Sequence, residues 1–154
     1  MSAPYLLLVN GPNLNRLGVR KPDTYGRQTL SDIIALARNT AEPHGLAVVD
    51  FQSNHEGALI DFLQERGPGA AGIVINPGAF GHYSYALRDC LEDIDRPTIE
   101  VHISNVHKRE SFRHHLVLSD VVIGQVVGLG TEGYRYAVEA LCRRFKQSHD
   151  LDSD

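Results

Sequence analysis

Cysteine is scarce in this chain: Cys90 and Cys142 are the only two in 154 residues. Two thiols cannot build the disulfide framework that staples small secreted domains. A reducing compartment is therefore expected, with both thiols serving as small buried hydrophobes. No apolar stretch approaches the roughly 20 residues that a bilayer-crossing helix needs. Residues 1–10 carry one short apolar run with no basic segment ahead of it, so neither a secretion signal nor a membrane association is expected, and the cytoplasm is the expected location. Positive charge is not in excess either. A formal net charge of −4 argues against nucleic acid or an acidic membrane surface as a partner. A local cluster of basic residues is then better explained by a small anionic ligand.

What the sequence does contain is enough apolar material for one domain. It is 42% hydrophobic, and single domains usually run about 100–150 residues. Such a chain buries roughly two-thirds of the surface that it exposes when unfolded, without a structural metal. Residues 5–9 form a continuous apolar run, Tyr-Leu-Leu-Leu-Val, as do 46–51, 72–75, 98–103 and 121–127 in their turn. Runs apolar on both sides are the mark of strands buried on both faces of a parallel sheet. Between them, residues 29–41, 57–66, 84–93 and 134–145 have helical periodicity, with stops at Glu42-Pro43, at Gly67-Pro68-Gly69 and before Pro97. Residues 147–154 are polar and expected to fray as a disordered tail, leaving one catalytic α/β domain over residues 1–146.

This alternation predicts a doubly wound α/β fold with right-handed crossovers. At this length the five-stranded parallel order 2-1-3-4-5, the flavodoxin-like arrangement, is the natural expectation. In such sheets ligands bind beyond the carboxyl ends of the strands, where the strand order reverses. That places a site among three segments, residues 11–28, 76–83 and 102–113.

The first of these is a long loop with no helical or strand pattern, the kind that often serves as a lid. It holds Arg16, Arg20, Lys21 and Arg27 against one acid, Asp23, together with Asn13, Asn15 and Tyr25. A guanidinium within hydrogen-bonding distance of a phenol stabilises phenolate, so Arg20 and Tyr25 on one mobile loop suit a general base. The alternative is a solvated basic loop with a packing tyrosine. In the second segment, Asn76-Pro-Gly-Ala-Phe-Gly-His82 turns the chain just before a helix, where backbone N–H groups favour negative charge. A surface histidine at the start of that helix is the plainer reading of His82.

The third segment is richest in chemistry. In Glu100-Val-His102-Ile-Ser104 the alternation of a strand puts Glu100, His102 and Ser104 on one side. A carboxylate beside an imidazole fixes its tautomer and stabilises imidazolium, which makes a general acid. Arg109 and Arg113, four residues apart, follow on one helical face. A polar edge strand followed by a basic solvated helix is the alternative, but a buried strand does not carry Glu and His without partners. A Ser-His-acid hydrolase is disfavoured because no Gly-x-Ser-x-Gly elbow is present. A metal site from His102, His107, His114 and His115 is disfavoured because their spacing matches no ligand motif. Gly128-Leu-Gly130-Thr-Glu-Gly133 matches the G-x-G-x-x-G pattern of dinucleotide sites, and with the fold it supports a second reading as a flavin- or nucleotide-binding module. The chain ends before the further strand and acid that this fingerprint requires, so a tight turn with close packing is the preferred reading.

Taken together, Asn10-Gly-Pro-Asn-Leu-Asn-Arg-Leu-Gly18, Tyr25-Gly26, Ile75-Asn-Pro-Gly-Ala79, Glu100-Val-His-Ile-Ser-Asn105, Phe112-Arg-His-His115 and Gly128-Leu-Gly130 resemble the type II 3-dehydroquinate dehydratases, in order and in spacing. The resemblance runs from Leu6 to about Phe145. It implies a lyase of the shikimate and quinate pathways that converts 3-dehydroquinate to 3-dehydroshikimate, with no metal or organic cofactor, assembled as a dodecamer (a tetramer of trimers). It implies Tyr25 as the base for the C2 proton and Arg20 as the lid residue that promotes its ionisation. Asn13 would hold a water at the enolate. His102 would protonate the departing C1 hydroxyl, with Glu100 behind it. Asn76, His82, Ile103, Ser104 and Arg113 would bind substrate, and Asp89 would bind it at a neighbouring subunit's site. Arg109 would be a supporting charge. Gly81 and Tyr83 stand where threonines are common in the family, and Leu116-Val117 follows the paired histidines less typically.

Overall fold

The computed structural model describes residues 3–153. The first two residues of the expected domain and the last residue of the expected tail lie outside that range. Five parallel strands lie side by side in the order β2-β1-β3-β4-β5. They are β1 (Tyr5–Asn10), β2 (Ala47–Gln52), β3 (Gly72–Asn76), β4 (Thr98–His102) and β5 (Gly124–Val127). The expected topology is the one observed, and β1 and β3, where the strand order reverses, end side by side at Asn10 and Asn76.

The apolar runs work as expected because each strand feeds two cores. Leu6 and Leu8 of β1 point to one face, with Val74, Ile99 and Val101, against helices α2 (Leu30–Ala41) and α5 (Glu132–Leu151). Leu7 and Val9 point to the other, with Ile73 and Ile75, against α3 (Glu56–Arg66) and α4 (Tyr85–Ile94). The alternation of side chains along an extended strand produces this division. The helices begin where local chemistry starts them. The Thr29 hydroxyl accepts from the Asp32 N–H while the Asp32 carboxylate accepts from the Thr29 N–H, a reciprocal cap on α2. The Ser84 hydroxyl accepts from the Leu87 N–H and donates to Glu56, capping α4 and tying it to α3.

Three local expectations are corrected. The loop 11–28 contains a 3-10 turn, Leu14–Arg16, and a one-turn helix α1, Pro22–Tyr25, begun by a proline at its first position. The last strand begins at Gly124 rather than at residue 121. Residues Val121 and Val122 pack their side chains against the α3/α4 core from a turn instead of from the sheet. Helix α5 runs on to Leu151, because no proline or glycine follows Gly133 to stop it and residues 147–151 continue its backbone ladder. Among the described residues, no helix is long and apolar enough to cross a membrane.

Leu63 of α3 is wholly buried between the sheet and α4. Leu63→Ala is expected to lower stability by about 2–5 kcal/mol. A fall in the urea midpoint with unchanged slope, at fixed protein concentration, checks this.

Candidate active site

The carboxyl ends of β1, β3 and β4 open into a cavity of about 220 Å³. Asn13, Arg20 and Tyr25 line it from the first loop, Asn76 and His82 from the segment after β3, and His102, Ile103, Ser104, Arg109 and Arg113 from β4 and beyond. The sequence-predicted residues therefore converge, with two exceptions. Glu100 lies beneath the cavity rather than on its wall, fully buried. Asp89 sits on the exposed face of α4, where its carboxylate accepts from Arg88 at 2.9 Å, away from this chain's own cavity.

On one side of the cavity, the Tyr25 hydroxyl accepts a hydrogen bond from Arg109 Nη1 at 2.8 Å, and the same nitrogen donates to Ser104 Oγ at 3.1 Å. The guanidinium of Arg20 lies over the Tyr25 ring, 5.1 Å from its centre, and that of Arg109 lies 5.4 Å from the same point. The donor to the hydroxyl is thus Arg109, and Arg20 acts through the ring face. Two cations thus flank one phenol, one at its hydroxyl and one at its ring face. The Arg109 backbone is itself held, since its carbonyl accepts from His114 Nε2 at 3.0 Å. Arg113, farther along the wall, pairs with Glu110.

On the other side, His102 Nε2 lies 2.6 Å from Glu100 Oε2. A carboxylate only accepts, so Nε2 carries the proton and Nδ1 is the nitrogen left for other chemistry. The strand alternation expected from sequence places the two side chains together. Gly81 passes directly beneath them. A Cβ there would lie 2.7 Å from Pro77 Cγ, 3.3 Å from Glu100 Oε2 and 3.4 Å from His102 Cε1, so this backbone path has no room for a side chain. Tyr83, the other departure from the family pattern, is exposed and packs edge-on against Phe80.

His82 stands 5.9 Å from the His102 ring, centre to centre. Its Nδ1 donates to the His115 carbonyl at 3.0 Å, which leaves Nε2 as an acceptor towards ligand. Burial holds its pKa below the ordinary 6.5. The bond to His115 opposes that shift, and repulsion from His102 and Arg113 reinforces it.

Several residues that fix this site carry no local sequence signal. Tyr134 of α5 is completely buried. Its hydroxyl donates to Asn10 Oδ1 at 2.7 Å and accepts from Asn76 Nδ2 at 2.8 Å. With Asn76 Oδ1 accepting from the Gly78 N–H at 3.1 Å, the Asn76 amide has one orientation. Desolvation raises the Tyr134 pKa, so this phenol stays neutral and structural. Asn54 accepts from the backbone N–H of Asn13, whose φ of 70° is left-handed, and from Gln52 Nε2. An aspartate or asparagine tolerates that conformation better than most residues. The glycine turn after β5 has a structural use. The Gly128 and Gly130 N–H groups donate to the carbonyls of His102 and Ile103, both at 3.0 Å, so they are spent on the site's backbone and not free for a phosphate. This overturns the dinucleotide reading of that motif.

The sequence matches the family described as dehydroquinase class II over residues 4–142. A 3-dehydroquinate dehydratase of Bacillus cereus is 53% identical over 143 residues, which is 93% of this chain and 98% of that protein. A catabolic 3-dehydroquinase of Penicillium rubens is 51% identical over 142 residues, 92% of either chain. Among solved structures, the type II dehydroquinase of Butyrivibrio crossotus superposes with a TM-score of 0.87 at 46% identity, over 92% of this chain and 99% of that one.

Two measurements check the geometry. In an NMR titration the His82 ring is expected to change charge below pH 6.5. The unfolded chain takes up that proton first, so the His82 contribution weakens the fold as pH falls below about 6.5 and is absent at higher pH. Tyr134→Phe removes the donor to Asn10 and the acceptor of Asn76. It is expected to lower stability by about 1–3 kcal/mol, read from denaturant unfolding.

Proposed function

The chain belongs to the class II dehydroquinase family, and from that premise we propose that it removes water from 3-dehydroquinate to give 3-dehydroshikimate. The observation that carries this reading is the single cavity onto which both the Tyr25 hydroxyl and the His102 imidazole open. A β-hydroxy ketone loses water readily once its enolate forms. It needs a base at the α carbon, a stabiliser at the enolate oxygen and an acid at the hydroxyl.

Tyr25 is the base, with Arg109 donating to its hydroxyl and Arg20 lying over its ring. It takes one proton from C2, and the electron pair of that C–H bond moves onto the C3 oxygen as the enolate. Asn13 holds a water that hydrogen-bonds this oxygen, and the turn tied to Asn54 keeps Asn13 in place. As the enolate collapses, the C1–O bond breaks. His102 gives its proton to the leaving hydroxyl, with Glu100 stabilising the imidazolium beforehand. A base on the loop and an acid at a strand end can face opposite sides of the substrate ring, which suits anti elimination. Asn76, His82, Ile103, Ser104 and Arg113 take the carboxylate and the remaining hydroxyls. The three lysines, Lys21, Lys108 and Lys146, are exposed and none lines the cavity, so no amine is placed to form an imine with the ketone.

Asp89 faces away from its own cavity, on an exposed helix face where only its neighbour Arg88 holds it. That supports a homo-oligomer in which it binds substrate at a neighbouring subunit's site, with the dodecamer of four trimers as the expected assembly. The chain's two free, buried cysteines suit a reducing compartment, which supports the cytoplasm as the location.

The test is an absorbance assay for the conjugated enone product, run with the wild-type protein and Tyr25→Phe. The wild type is expected to turn over 3-dehydroquinate, and Tyr25→Phe to lose at least about a thousandfold in kcat with its fold unchanged. Near-normal kcat in that variant removes Tyr25 as the base.

A further inference from the structure

Glu100 is fully buried, and a buried carboxylate needs partners on both oxygens. Oε2 is taken by His102. Oε1 accepts from Gln125 Nε2 at 2.8 Å, across the strand pair in which Glu100 and Gln125 are register partners. The second hydrogen of the same amide nitrogen goes to Ser119 Oγ at 2.9 Å, and the Ser119 hydroxyl donates onward to the Leu116 carbonyl at 2.7 Å. Every direction in this chain is set. The Leu116 carbonyl can only accept, which turns the Ser119 hydroxyl towards it. Ser119 Oγ then accepts from Gln125, and the Gln125 amide cannot flip without setting its carbonyl against the carboxylate. Gln125 is the one side chain besides His102 that hydrogen-bonds Glu100 among the described residues.

We propose that Gln125 is a positioning residue for the acid of the reaction: it donates to Glu100 Oε1, fixes the orientation of that carboxylate, and through it keeps the Nε2–H of His102 directed at Oε2. The proposal rests on the reading of His102 as the acid that releases the C1 hydroxyl. Gln125 touches no substrate. It stands on the edge strand β5, with an exposed side chain whose amide end closes the underside of the pair. The charged and titratable groups facing the Glu100–His102 pair from neighbouring segments are His82, Arg113, Arg109, Arg20 and Tyr25, and none of them replaces a lost donor to Oε1. A sequence reader sees only a polar residue in a short edge strand, which is why Gln125 carries no signal of its own.

Gln125→Leu keeps the approximate bulk of the side chain and removes the donor. It is expected to lower kcat about ten- to a hundredfold, with KM changed less than about twofold, since a hydrogen bond to a charged group is lost and no substrate contact is. The alkaline limb of the kcat profile is expected to move to higher pH, because a carboxylate that has lost a donor is more basic and holds the imidazolium proton more firmly. Gln125→Glu donates through one O–H while its carboxyl is protonated. It is expected to approach wild-type kcat at the acid end of the profile and lose it as pH rises. The His102 Nε2–H proton resonance, read in the ligand-free protein, is expected to move downfield in Gln125→Leu, as the more basic carboxylate draws that proton more strongly. Wild-type kcat, pH profile and resonance in Gln125→Leu overturn the proposal. So does a loss of kcat that follows a collapse of the melting temperature with both the pH profile and the resonance unchanged. If the wild-type protein does not dehydrate 3-dehydroquinate at all, the functional reading fails, and the resonance alone still decides whether Gln125 holds the pair.

Discussion

A carboxylate and an imidazole 2.6 Å apart, sealed beneath the end of a parallel strand, are the interaction on which the rest of this site depends. Removing either partner would leave an uncompensated polar group in the interior, which the fold does not tolerate cheaply. The surroundings are shaped to keep both. The backbone at Gly81 leaves no room for a Cβ, which would press on Pro77 and crowd the pair. The amides of Gly128 and Gly130 fix the backbone of His102 and Ile103, and Gln125 closes the remaining carboxylate oxygen. Among the described residues, no buried side-chain nitrogen or oxygen lacks a hydrogen-bond partner. The acid half of the chemistry is therefore preorganised by the sheet itself, where small displacements are resisted by close packing.

The base half is built differently. Tyr25 ends a one-turn helix in a loop whose neighbours are largely exposed, and it is held by long, flexible arginines. A group on such a segment can withdraw and return, which suits a base that must close over a substrate and then release product. The division between a fixed acid on the strands and a movable base on the loop follows from the fold. Parallel sheets present their strand ends at one rim, and the long first connection is the segment free to arch over it.

Much of this was legible in the sequence, for physical reasons. Buried parallel strands read as unbroken apolar runs, so the topology and the rim could be placed from β1 to β4. Glu100 and His102 were legible as a pair because a strand's period of two puts alternate residues on one side. The misses share a cause. Val121 and Val122 look like strand residues because apolarity reports burial, not backbone pairing. Arg109 replaced Arg20 at the Tyr25 hydroxyl because a contact across 84 positions leaves no trace in local spacing. Tyr134, Asn54 and Gln125 act through pairs of hydrogen bonds that reach other elements, and each looks like an ordinary helix, turn or edge residue. The end of α5 is illegible because a polar composition is shared by frayed tails and exposed helices, whereas the helix needs only backbone continuity and the absence of a stop.

The most direct measurement of the central claim is a crystal structure of the inactive Tyr25→Phe variant with 3-dehydroquinate bound. The ligand is expected between the two halves of the site, with C2 facing the ring of residue 25 on one side and the C1 hydroxyl within hydrogen-bonding reach of His102 on the other. A ligand bound with both groups against the same face of its ring, or bound away from His102 altogether, would contradict the account.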